Sequence, residues 1–136
     1  MSTFVPSLFL RRALLLDAVA TAATGVLLAA GSGVLAQWLQ LPAALSLYSG
    51  LALLPFAAFV AWLATRERVH AGAVWAVIAI NALWVVDSFW LALGAGAGLN
   101  TLGQVFVIGQ ALAVGVFAGL EYFGLRRSQP ALVAAA

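Results

Sequence analysis

Four apolar runs divide the chain, at residues 13–36, 43–64, 73–94 and 102–124, each 22 to 24 residues long. An α-helix rises about 1.5 Å per residue and the hydrocarbon core of a bilayer is about 30 Å thick, so each run can cross with some tilt. None alternates in polarity as a membrane strand does. In lipid a helix satisfies its own backbone hydrogen bonds within one segment. The pattern predicts an all-α integral membrane four-helix bundle, a single transmembrane domain over residues 1–136.

The breaks between runs have their own chemistry. Gln37, Trp38, Gln40 and Pro42 separate the first two, and the stretch from Thr65 to His70 is the most charged of the chain. The third break, Gly94 to Thr101, is rich in glycine and contains Asn100. Arg11 and Arg12 precede the first run, Arg66 and Arg68 lie between the second and third, and Arg126 and Arg127 follow the fourth. All six cations therefore fall on one side of a four-span protein. Cytoplasmic loops retain Arg and Lys, so both termini are expected in the cytoplasm. Trp38, Trp62, Trp75 and Trp90 fall near span ends, as an aromatic belt does. Arg11-Arg12 with the run after it and Val34-Leu35-Ala36 also has the outline of a secretory signal. Asp17 inside the run, and the run's length, favour a permanent span.

Composition agrees with lipid as the solvent: 65% of residues are apolar and 7% charged, against about 25% charged in soluble domains. A net charge of +2 gives no nucleic-acid footprint. There is no Cys and no Lys, and one His. Thiolate metal sites, disulfides, Schiff bases and bis-histidine haem are thereby excluded within the chain. No cofactor or metal is implied. Exclusive use of Arg with abundant Ala, Gly and Val suggests a GC-rich bacterial genome.

Close helix contact in lipid relies on small residues. Gly25, Ala29 and Gly33 in the first run, Ser46 and Gly50 in the second, and Ala111, Gly115 and Gly119 in the fourth form such stripes. A weak internal repeat sets Asp17-Ala18 against Asn81-Ala82 and Gly31-Ser32-Gly33 against Ala95-Gly96-Ala97. It would make the bundle two parallel helical hairpins.

Acids inside a membrane are costly, about 2.5–3.5 kcal/mol at a helix centre, and default to functional hypotheses. Asp17 and Glu121 fall about one turn inside the arginine side, at matching depth. They are expected either to pair with the nearby arginines or to form a cytoplasmic proton or cation site. Asp87 lies roughly 10 Å from the opposite interface by helical rise, with no cation on that side. Asn81, Trp84, Asp87 and Ser88 share an arc of about 120°. Tyr48, Gln104 and Gln110 lie at comparable depth. A polar cluster around Asp87, hydrogen-bonded by Tyr48, Gln104 or Gln110, is the expected ligand or proton site, with a structural hydrogen-bond knot as its alternative.

The sequence has no catalytic triad spacing at membrane depth, no paired metal-ligand spacing and no phosphate-cradling glycine loop. The Arg11-Arg12-Ala13-Leu14-Leu15-Leu16-Asp17 start running into Gly25, with the four-span layout, resembles the small bacterial DoxX-like membrane proteins. The resemblance implies a four-helix bundle in a bacterial inner membrane and assigns no residue a role. The expectation is a non-enzymatic accessory subunit or small-molecule-binding bundle. Its alternative is a small oligomeric transporter or channel using Asp87. Expected partners are membrane lipid and a second copy or a larger membrane complex.

Overall fold

The computed structural model describes residues 3–94 and 98–135, with side chains placed as far as residue 128. Five helices follow in order: α1 (Leu8–Ala30), α2 (Ser32–Leu39), α3 (Ala43–Thr65), α4 (Ala71–Leu93) and α5 (Thr101–Ala135). α1, α3, α4 and α5 are long and apolar enough to cross a membrane. The protein is an all-α four-helix membrane bundle.

The first span differs from the sequence expectation at both ends. It begins at Leu8, where the Ser7 hydroxyl accepts from the Leu10 amide at 3.1 Å and caps the helix. Arg11 and Arg12 thus ride inside α1, their long stems carrying the charge outward. It ends at Gly31, whose N–H bonds Leu27 O at 2.8 Å. A Cβ on Gly31 would stand 2.6 Å from that same carbonyl, so this stop needs glycine. The residues beyond it form the separate short helix α2, which packs across the loop end of the bundle through buried Leu35 and Leu39. Asn100 fastens that end: its amide donates to Trp38 O at 2.8 Å and its Oδ1 accepts from Gly103 N at 2.7 Å, capping α5. Ala95, Gly96 and Ala97, the second half of one proposed repeat match, lie outside the described residues.

α1 packs along α3, α4 along α5, and α1 meets α5. Two hairpins are therefore present, but their outer seams differ. α3 and α4, though consecutive, barely approach each other backbone to backbone. The α1–α3 crossing is the closest: a Cβ on Gly50 would stand 2.5 Å from Ala29 N and 2.6 Å from Gly25 O. This matches Gly25, Ala29 and Gly50 of the expected stripes, whereas Gly33 falls in α2 with nothing within 4 Å of an added Cβ. Of the α5 stripe, Ala111 is fully buried but neither glycine makes a close approach. Gly119 has open space around it and Gly115 only a Val85 methyl at 3.9 Å; α5 meets α1 at Gly124 instead, where a Cβ would stand 2.9 Å from Leu10 Cα. The approach of α5 to α1 is thus set by a glycine outside the expected stripe.

At the arginine end the structure is closed. Thr3–Phe4 (β1) pairs antiparallel with Val69–His70 (β2), and Phe4, Leu10, Leu63, Val74 and Leu125 share one buried cluster. The Ser7 amide donates to Ser128 Oγ at 2.9 Å, joining the start of α1 to α5. The Arg11 guanidinium donates to Ala64 O at 3.0 Å and Arg66 O at 2.6 Å, satisfying carbonyls at the end of α3 that have no helical partner.

Candidate functional site

Three buried polar side chains meet between α1, α4 and α5. Asp17 and Glu121 are 0% exposed and Asn81 3%. The Asn81 amide donates to Asp17 Oδ2 at 2.8 Å and to Glu121 Oε1 at 2.9 Å, using both of its amide hydrogens. Thr21, one turn along α1, donates to Asp17 Oδ1 at 2.9 Å. Glu121 Oε2 is buried with no partner. Every donor the structure gives these two acids is neutral.

Asp17 and Glu121 do share a depth, as expected, but neither pairs with arginine. Arg11 caps α3, Arg126 donates to the Tyr122 hydroxyl at 3.0 Å, and Arg127 stacks over Phe9 at 4.7 Å. The depth itself explains this. Asp17 lies five residues beyond Arg12 and Glu121 five residues before Arg126, about one and a half helical turns in each case. A guanidinium that bends back that far would leave the interface for lipid.

Asn81 therefore belongs with Asp17 and Glu121 and not with Asp87. The two groups point to different sides of α4. The rest of the expected cluster splits further. Trp84 Nε1 donates to Gln110 Oε1 at 2.7 Å, and Gln110 Nε2 donates to Ser88 Oγ at 3.0 Å and to Val107 O at 2.7 Å. Gln104 is spent on Ala92 O at 3.1 Å, a staple between α4 and α5. Tyr48 is exposed on α3. None of Tyr48, Gln104 and Gln110 donates to Asp87 among the described hydrogen bonds, and Asp87 is itself exposed. A helical wheel orders residues on one helix; it does not say which neighbour each direction meets.

Asp87, Trp84, Ser88 and Gln110 nevertheless line one cavity. It measures about 350 Å³, lies toward the loop end and takes its walls from α1, α3, α4 and α5. Thr24, Ser46 and Ser49 add hydroxyls; Leu28, Leu91 and Phe106 add apolar wall. Ser46 is 1% exposed and its hydroxyl has no partner. Asp87 and Trp90 of α4 and Leu45 of α3 are exposed lining residues, at the seam where α3 and α4 stand apart. A second cavity of about 70 Å³ shares Thr24, Trp84 and Gln110 with the first and reaches Thr21 and Asn81. The two cavities are separate and share a wall at Thr24 and the hydrogen-bonded Trp84 and Gln110.

No three acidic, His or Cys side chains gather as a metal cage among the described residues. Sequence reasoning missed the union of Asp17, Asn81 and Glu121. Two signals pointed to it: the equal depth of the acids, and the repeat match that sets Asp17 against Asn81. No protein-family model matches the chain, and no curated protein or solved structure is significantly similar to it. The likeness to DoxX-like proteins gains no support from them, and the four membrane-length helices are what stands.

Proposed function

We propose that the chain is a non-enzymatic, multi-pass protein of a bacterial inner membrane, with both termini in the cytoplasm. Its bundle binds a small molecule and holds one exchangeable proton between Asp17 and Glu121. One observation carries the proton: two fully buried carboxyl groups share a single asparagine amide, with only neutral donors around them. Two negative charges so placed would each lack the compensation that buried ions require, and would repel each other. One proton on the pair removes the repulsion and gives Glu121 Oε2 a role as donor or acceptor.

Thermal melting in detergent across the neutral pH range tests this. A proton held by the folded pair couples stability to pH, and Glu121→Gln is expected to remove that coupling while keeping the fold. Superimposable profiles for wild type and Glu121→Gln would defeat the proposal. A shift produced by sodium at fixed pH would assign the site to a cation instead.

The small cavity at Thr21 and Asn81, which shares a wall with the larger one, favours a second reading, a small proton-coupled transporter acting as a homo-oligomer. Four helices enclose little volume, so more than one copy would form the path. Mass measurement in detergent and a proton flux in proteoliposomes would distinguish this from a monomeric binding module.

A further inference from the structure

We infer that the cavity between α3 and α4 binds an amphipathic primary or secondary amine, an alkylammonium whose head lies against Asp87 and whose tail fills the apolar wall. The inference rests on the small-molecule reading above and is independent of the proton.

The argument starts from charge. Among the described residues, Asp87 is the only ionisable side chain lining the cavity. All six arginines are at the opposite end of the bundle. A carboxylate at membrane depth is costly when alone, and the chain offers it no cation there, so a cationic ligand supplies what the fold lacks. Two indoles, Trp84 and Trp90, line the same cavity, and an aromatic face attracts an ammonium electrostatically.

Hydrogen bonding narrows the cation to one with N–H groups. The Ser46 hydroxyl is fully buried and unpartnered, and it lines the cavity. Leaving such a group unmade costs about 1–3 kcal/mol, and an ammonium N–H is a matching donor to its oxygen. Ser49 offers a second acceptor. Gln110 cannot serve, because its amide is committed to Trp84, Ser88 and Val107. Size agrees: about 350 Å³ is at the small end of the roughly 300–1,000 Å³ usual for ligand sites. The rest of the lining is apolar, with Leu28, Leu91 and Phe106 placed to receive a short alkyl chain. The α3–α4 seam gives such a molecule a way in from the bilayer.

The test uses the full chain in neutral maltoside micelles, with octylammonium and 1-octanol as probes and tryptophan fluorescence as readout. The two share a tail and a hydrogen-bonding head and differ in charge. Octylammonium is expected to bind at least about tenfold more tightly, and Asp87→Asn to remove that advantage while octanol binding stays unchanged. Ser46→Ala is expected to weaken both probes a few-fold. Asp87 is exposed, so its replacement leaves the fold intact. Equal binding of the two probes to wild type would overturn the amine assignment and leave a small-molecule site standing. Failure of both to bind would remove the small-molecule reading as well. Displacement of octylammonium by added phosphatidylethanolamine would support a lipid headgroup as the natural source of the ammonium. No displacement would support a free amine.

Discussion

The two ends of the bundle solve the same problem in opposite ways. At the arginine end four helices and a two-residue sheet close over one apolar cluster, and the acids just beneath it are bound from three helices. At the loop end α3 and α4 part and a cavity opens, lined by the exposed Asp87 and by the buried Ser46, whose hydroxyl has no partner among the described residues. Two hairpins related by an axis would have alike outer seams. Here α1 meets α5 closely and α3 barely meets α4. The side where the pairing fails is the side with room for a ligand. Each half keeps one buried oxygen without a partner, Glu121 Oε2 in the closed half and Ser46 Oγ in the open one, but only Ser46 lines a cavity of ligand size.

Substitutions can break this contrast. The largest effect is expected at Asn81→Leu in the closed half. It strips both carboxyls of their shared donor, at about 3 kcal/mol or more, read as a loss of melting temperature or of folded yield. Next comes Gly50→Ala, expected to cost about 2 kcal/mol, because the added methyl meets backbone atoms of α1 that cannot step aside. Gly119→Ala is its control and should be silent, since nothing lies within 4 Å of the new carbon. The smallest is Ser46→Ala in the open half, expected to leave stability within about 0.5 kcal/mol or raise it slightly, since the lost hydroxyl had no partner. A large loss at Ser46 would mean that the open half is as tightly knit as the closed one.

Much of this could be read from the residues. Span number, the clustering of arginine at one end and the Gly25–Gly50 approach follow from hydropathy and small-residue spacing, both local properties. The start of α1 was misplaced by five residues, from residue 13 to Leu8, because hydropathy stops at Arg11 while the Ser7 cap decides the helix. The break at Gly31 lay inside an unbroken apolar run, and only the carbonyl contact there reveals it. The expected cluster around Asp87 was half assembled: Trp84, Ser88 and Gln110 line the cavity with it, whereas Asn81 turns to the acids of α1 and α5. Which helix faces which is a matter of tertiary packing, and no period along a single helix carries it.

The Asp17–Asn81 hydrogen bond spans 64 residues and the Ser7–Ser128 bond 121. Both have consequences for biogenesis. As α1 leaves the ribosome and enters the bilayer, Asp17 has one partner within reach, Thr21 on the next turn. Its amide partner is delivered only with α4, and the second acid only with α5. A nascent chain halted after the first hairpin therefore carries an under-bonded acid in lipid, the kind of flaw by which membrane quality control can single out an unfinished protein. The arrival of α4 supplies the missing donor, and α5 then fastens the start of α1 to its own Ser128.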